Sequence, residues 1–132
     1  LFNNTAIGGI MGGKFKLEYD EKNKVLVGKI TLSTVTKDDA KDIYTELEKS
    51  IPAYPDYESY ILDASNAMEV TNDSLGYLMK SLAIVKKTAG YMLLILTEEI
   101  LQKFMLSNPE MFDYYAVFFN YDEALKFILS KR

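Results

Sequence analysis

Residues 60–76 read YILDASNAMEVTNDSLG, and this stretch decides the fold because it joins an apolar run to a polar loop and the start of a helical pattern. The run at residues 60–62 is typical of a buried strand, which we expect to end at Asp63. We expect a helix to begin near Ser74 and to hold this side chain near the surface. Backbone N–H groups in a first turn lack partners within the helix and carry partial positive charge, so they favour an added anion. The stretch therefore predicts a surface serine suited to covalent modification.

The residues before this stretch predict a hairpin and a helix. Apolar residues alternate with charged ones at residues 15–20, and the mostly apolar run 25–30 follows a polar turn, which is typical of two antiparallel strands. Thr36 then precedes a pattern with apolar residues at helical spacing, and Asp39 stands three positions after it as in a capping box. We expect this helix to pack one face on the sheet.

The residues after the stretch predict an alternation of helices and strands. Leu75, Leu78, Met79, Leu82 and Ala83 fall on one helical stripe, and Gly90 is a suitable stop for that helix. Residues 91–96 are apolar on both faces, as in a parallel strand covered by helices. We further expect a helix at residues 98–107, a short strand at 116–119 and a final helix from Asp122. The pattern predicts an α/β fold.

Composition excludes several classes of function. A chain of 132 residues with 48% hydrophobic content fits one domain with one core, and a net charge of −4 argues against binding to nucleic acid. There is no Cys and no His, which excludes thiolate nucleophiles, imidazole bases and the zinc sites built from them. The apolar run at residues 91–96 is far shorter than the ~20 residues that span a bilayer. We expect no membrane span, metal or cofactor.

Four segments in order carry a family resemblance. They are Ile61-Leu62-Asp63, Asp73-Ser74-Leu75-Gly76, Leu93-Leu94-Ile95-Leu96 and Asp122-Glu123-Ala124-Leu125. Their order and spacing resemble STAS domains, and the chain looks like an anti-sigma factor antagonist from about residue 15 to residue 130. The resemblance implies an α/β fold with a STAS-like mixed sheet of about five strands and about four helices. We expect one such domain at residues 14–132, preceded by a flexible segment at 1–13 that is a possible cloning remnant.

The resemblance also implies a regulatory function and not an enzyme. Ser74 would be phosphorylated by a partner serine kinase, and the added charge would release a bound partner without unfolding the domain. The partners would be an anti-sigma factor or serine kinase and a phosphatase, in the cytoplasm. The expected partner-binding residues are Asp73, Ser74, Leu75, Gly76 and Tyr77, and Asp63 and Thr71 are expected to brace the loop.

Other interpretations of the same residues stay open. A second interpretation is a constitutive STAS scaffold or sensor module in a larger regulatory or transport assembly, with Ser74 only capping a helix. Residues 29–34 favour this, because they lack the acidic residue that STAS domains often carry there. A small-molecule sensor would require an enclosed pocket with convergent polar groups. Gly76 would allow close approach, either of a partner or of a neighbouring strand.

Overall fold

The computed structural model describes residues 13–132, so the segment expected at 1–13 lies outside the described residues except for Gly13. The described part begins with the expected hairpin. Strands β1 (Phe15–Asp20) and β2 (Val25–Ile30) are antiparallel, with Phe15 opposite Ile30. The turn between them contains Lys24 in a left-handed conformation, with φ of 56°. The alternating pattern therefore predicted this hairpin correctly.

The main sheet continues from β2 through β4 (Ser59–Asp63), β6 (Met92–Ile95) and β7 (Tyr115–Phe118), and these four strands run parallel to one another. The strand order is β1-β2-β4-β6-β7. Only the edge strand β1 is antiparallel, so the sheet is mixed, as expected. Strand β6 is buried along its whole length, which agrees with its unbroken apolar sequence.

Helices cover both faces of this sheet. The helices are α1 (Lys37–Ser50), α2 (Leu75–Ser81), α3 (Glu98–Ser107) and α4 (Tyr121–Ser130). Buried side chains of α1 and α3, such as Leu47 and Phe104, share one core cluster with Leu62 and Leu94 of the sheet, and α2 packs against this cluster. Helix α4 covers the other face, where Ala124 and Ile128 pack in a cluster with Ile61.

Several expectations on the helices are confirmed. Helix α1 begins with the expected capping box, in which Thr36 and Asp39 each bond the backbone N–H of the other. Helix α3 has the expected bounds, and α4 begins one residue before Asp122, with Asn120 as its cap. Three short 3₁₀ turns occur at Ile51–Ala53, Asn72–Ser74 and Pro109–Asp113.

The expected extent of the second helix is wrong. Helix α2 ends at Ser81, and the next three backbone N–H groups bond carbonyls three residues back, so the chain tightens into turns. Met79 was expected on the buried stripe but is 40% exposed. Gly90 does not end a helix: with φ of +89° it lies in the turn that joins Thr88 to Tyr91. These turns bring Val85 into the core.

A second sheet was not predicted from the sequence. Strands β3 (Thr34–Val35) and β5 (Glu69–Val70) have two residues each and pair in parallel. Such short strands carry no periodic signal, so only the folded chain reveals them. They hold the loop after β4 against the segment that leads into α1.

Gly28 of β2 leaves room for the side chain of Tyr60, which belongs to the neighbouring strand β4. A Cβ atom at Gly28 would lie 2.2 Å from the Tyr60 hydroxyl oxygen, which is too close for any other residue. The Tyr60 hydroxyl is fully buried and has no hydrogen-bond partner within the part of the chain that the structure describes. Burial without a partner raises the pKa of Tyr60 far above its ordinary value.

Asp20 joins the hairpin to the last helix. Its buried carboxylate accepts hydrogen bonds from the Tyr121 hydroxyl and from the Asn23 side-chain amide, the latter at 2.8 Å. Burial by itself raises the pKa of Asp20, but the hydrogen bonds from Tyr121 and Asn23 outweigh it and hold the pKa below its ordinary value. The ionised form is therefore the one that stabilises the fold.

We predict that Tyr60→Phe raises the free energy of unfolding by about 1 kcal/mol. The substitution removes a hydroxyl that is hydrogen-bonded to water in the unfolded chain but has no hydrogen-bond partner among the described residues of the folded one. The measurement is urea denaturation followed by circular dichroism. Tyr115→Phe is the matched control, since the buried Tyr115 hydroxyl donates to the Leu78 carbonyl oxygen at 2.8 Å. We expect this control to lose about 1 kcal/mol. Equal losses in both variants would contradict the account of Tyr60.

We predict that Asp20→Asn lowers the free energy of unfolding by roughly 2 kcal/mol at pH 7, where the native carboxylate accepts its hydrogen bonds. The folded pKa of Asp20 is lowered, so its contribution is complete above the unfolded pKa of about 3.9 and is lost as the pH falls towards the folded value. The difference from the wild type should therefore shrink below about pH 4.

Denaturation curves from pH 3 to pH 7 measure this difference. Asp113→Asn at an exposed site is the control and should follow the wild type throughout. A difference between wild type and Asp20→Asn that stays constant with pH would show that the carboxylate charge has no role.

Candidate functional site

The segment expected to hold the functional residues leaves the carboxyl end of β4 and enters α2 through the 3₁₀ turn Asn72–Ser74. Strand β5 pairs with β3 just before this turn, and the Thr71 backbone N–H donates to the Val35 carbonyl oxygen at 3.0 Å. In open α/β sheets, the carboxyl ends of parallel strands are the usual place of binding sites. The turn is therefore held at the carboxyl ends of the parallel strands.

Thr71 and Asp73 contact each other in this turn. Thr71 has the extended backbone of a helix cap, and its hydroxyl donates to the Asp73 carboxylate at 2.6 Å. The Thr71 side chain does not cap a backbone N–H of the turn. Asp73 is exposed, so its carboxylate faces both Thr71 and solvent. At the start of the loop, the Asp63 carboxylate accepts a hydrogen bond from the Ser65 backbone N–H at 2.9 Å.

The expectation that the Ser74 hydroxyl stands at the surface is wrong. Ser74 is only 3% exposed, and its hydroxyl donates to the Thr71 carbonyl oxygen at 2.6 Å. The Ser74 backbone N–H donates to the same oxygen at 3.0 Å. Ser74, Leu78 and Ser81 are spaced at i, i+4 and i+7, so they share the face of α2 that is turned to the core. This spacing was present in the sequence and is the signal that could have indicated the burial.

Gly76 lies on the outer face of α2. An added Cβ atom there would meet nothing within 4 Å, so close packing against a neighbouring strand is not the reason for this glycine. Leu75 and Tyr77 on either side are half-buried. The ring of Tyr77 lies 6.1 Å from that of Tyr44 in α1, measured between centroids. Asp73, Gly76 and the outer parts of Leu75 and Tyr77 thus form one accessible strip, while Ser74 lies beneath it.

A small cavity lies under α2, and no pattern in the sequence indicated it. Its volume is about 60 Å³. Its walls include Ser74 and Ser81 of α2, Tyr44 of α1, and Leu62 and Leu94 of the sheet. The Ser74 hydroxyl donates to the Thr71 carbonyl oxygen and the Ser81 hydroxyl donates to the Tyr77 carbonyl oxygen, so the walls are mainly apolar. The convergent polar groups that we expected of a sensor do not line it.

Metal and membrane features are absent from the described part of the chain. Within residues 13–132, no group of three or more acidic side chains is placed to hold a metal ion. Over the same residues, no helix has the length and apolar character needed to cross a bilayer.

Comparisons with known proteins identify the fold. No known family model matches the sequence, and no curated protein sequence matches it. A solved structure does match: the Bacillus cell fate determinant SpoIIAA in its phosphorylated form, with a TM-score of 0.50 and 12% sequence identity. The match covers 85% of this chain and 96% of the SpoIIAA chain. It confirms the expected STAS-like fold, with a five-stranded mixed sheet and four helices, and at this identity it shows the fold alone.

We predict that Ser74→Asp lowers the free energy of unfolding by about 1–3 kcal/mol, because it places a carboxylate at a buried position. Asn72→Asp is the matched control, since Asn72 is exposed in the same turn and should change stability by less than about 0.5 kcal/mol. Urea denaturation midpoints compare the two. Equal stability of Ser74→Asp and Asn72→Asp would contradict this prediction, because it would show that the turn can expose residue 74 without a cost in folding free energy.

Proposed function

We propose that this chain is a regulatory protein–protein interaction domain of the anti-sigma factor antagonist type, and that it is not an enzyme. The likeness to SpoIIAA over 85% of the chain is the observation that carries the proposal. The partner would be an anti-sigma factor or a serine kinase, with a phosphatase acting if the domain is phosphorylated, and the setting would be the cytoplasm.

The proposed partner-binding surface is formed by Asp73, Ser74, Leu75, Gly76 and Tyr77. Four features support it: the segment starts at the carboxyl end of the parallel sheet, Asp73 is exposed, Gly76 is open, and Leu75 and Tyr77 are half-buried. Glycine inside a helix costs about 1 kcal/mol relative to alanine, and no contact within the described residues explains that cost at Gly76. Close approach of a partner backbone would explain it. Ser74 is buried, so it contributes mainly by holding the shape of the turn through its hydrogen bond to the Thr71 carbonyl oxygen.

Two modes of control are supported by different observations. The buried hydroxyl of Ser74 favours constitutive binding, in which Ser74 has no regulatory role. Phosphorylation of Ser74, with release of the partner, is favoured by the likeness to a protein whose structure was solved in a phosphorylated form. For a kinase to reach Ser74, its hydroxyl must first leave the Thr71 carbonyl oxygen. The phosphorylated mode therefore requires the 3₁₀ turn to open.

A photo-crosslinking amino acid at position 73 should capture an anti-sigma factor or serine kinase in living cells, because Asp73 lies on the proposed surface. The same amino acid at position 122 is the control, since Asp122 is exposed on α4 at the opposite face of the sheet. Mass spectrometry identifies what is captured. Adding Gly76→Ala should reduce the capture at position 73 at least several-fold without loss of stability. Equal capture at positions 73 and 122 would contradict the proposed surface.

Incubation of the captured kinase with the wild-type chain and ATP separates the two modes of control. Constitutive binding predicts that Ser74 stays unmodified in the intact-mass and peptide spectra. Modification of Ser74, together with loss of binding, would establish the phosphorylated mode instead.

A further inference from the structure

A surface groove lies between helix α3 and the segment that leads from β5 into the 3₁₀ turn Asn72–Ser74, and we call it the α3 groove. Val70 and Asn72 line one side, and residues of α3 line the other. Its volume is about 340 Å³, which is room for roughly ten groups of the size of water, at ~30 Å³ each. Asn72 precedes Asp73 directly, so the groove adjoins the proposed partner-binding surface.

The α3 groove has an apolar floor and an exposed apolar wall. Ile100 and Phe104 line it and are buried, so they also belong to the main core. Leu106 lines it too and is 88% exposed, the largest exposed fraction of any large apolar side chain in the described part of the chain. A leucine that stands in water beside an apolar floor offers surface that another molecule can cover.

The α3 groove also carries a positive charge. Among the described residues that line it, Lys103 is the only charged one. Within the described part of the chain, Lys103 makes no ion pair with a carboxylate. The groove is therefore opposite in sign to the chain as a whole, which has a net charge of −4. A carboxylate of a partner would meet complementary charge here.

The spacing of these residues on α3 restricts what can bind. Lys103 and Leu106 are three positions apart on the helix, so their Cβ atoms are neighbours at about 5–6 Å. A ligand that contacts both side chains must carry an apolar group and a carboxylate at a similar separation. A helical peptide meets this requirement when a large apolar residue and an acidic residue stand three or four positions apart.

We propose that the α3 groove binds an acidic amphipathic helix of the protein partner, with a large apolar side chain between Val70 and Leu106 and a carboxylate at Lys103. This inference rests on the proposed function, because it extends the partner-binding surface from residues 73–77 into the groove. One partner can cover both, since Asp73 and Asn72 are adjacent. The groove thus specifies the chemistry of the partner segment.

The test is a selection of short random peptides, displayed on phage, on the immobilised wild-type chain. It requires no identified partner. We expect the selected peptides to share a large apolar residue with an Asp or Glu three or four positions away. Selection on Lys103→Glu should enrich Lys or Arg at that position instead, because the charge of the groove is reversed.

Two substitutions with matched controls test the two parts of the groove. The affinity for a selected peptide, measured by calorimetry, should fall by about tenfold or more in Leu106→Ser, because an apolar contact is lost. It should fall at least several-fold in Lys103→Glu. Leu129→Ser and Lys126→Glu, at exposed positions of α4, are the controls and should leave the affinity unchanged. Thermal unfolding verifies that all four variants retain the fold.

The same peptide separates this inference from the proposed function. We expect it to compete with the partner and to reduce photo-capture at position 73 several-fold when it is added to a cell lysate. Capture at position 73 that neither the peptide nor Leu106→Ser reduces would overturn the groove as part of the partner surface and leave the proposed function standing. Peptide binding that depends on the groove, without any capture at position 73, would support the groove and contradict the proposed function.

Three further results would overturn the inference. An empty selection, or selected peptides that bind Leu106→Ser as tightly as the wild type, would show that the groove is not a peptide site. Equal effects of Lys103→Glu and Lys126→Glu would remove the carboxylate from Lys103. A wild-type dimer in analytical ultracentrifugation that Leu106→Ser converts into a monomer would show that a second copy of this chain occupies the groove.

Discussion

The burial of the central strands on both faces is the constraint on which the rest of the structure depends. Leu62 and Leu94 point into the core beneath α1, α2 and α3, while Ile61 and Leu93 on the same two strands point into the core beneath α4. Strands of this kind need helices on both sides, and parallel neighbours need crossover connections that supply them. Because these strands are parallel, the loops that leave their carboxyl ends all lie at the same end of the sheet.

The same constraint explains why Ser74 lies beneath the surface. Helix α2 must turn an inner face to Leu62 and Leu94, and helical spacing assigns Ser74, Leu78 and Ser81 to that face. Two of these three residues are small and polar, so the helix covers the core incompletely and leaves a cavity. Their hydroxyls bond to nearby backbone carbonyl oxygens, of Thr71 before the helix and of Tyr77 within it, and need no partner from the core. Helix α2 thus lies over the carboxyl ends of the parallel strands with a cavity beneath it.

Where local signals were strong, the sequence predicted the elements well. The alternation at residues 15–20, the capping box of Thr36 and Asp39, and the unbroken apolar run around Leu93 each gave a correct element, because each depends on spacing along the chain. The end of α2 was placed too late, because Leu82 and Ala83 continue the stripe although the backbone tightens there. The β3–β5 pair was missed, because pairs of two residues show no period.

The sequence by itself determined an α/β chain, the hairpin edge of its main sheet and the order of its helices, because hydrophobic period and capping are local properties. It also indicated that the segment 71–77 enters a helix at the edge of that sheet. Only the tertiary structure decided which side of this helix meets the core, and hence that the Ser74 hydroxyl is buried, Gly76 is open and a cavity lies beneath the helix. The reason is that burial depends on residues distant in sequence, which local spacing does not bring together.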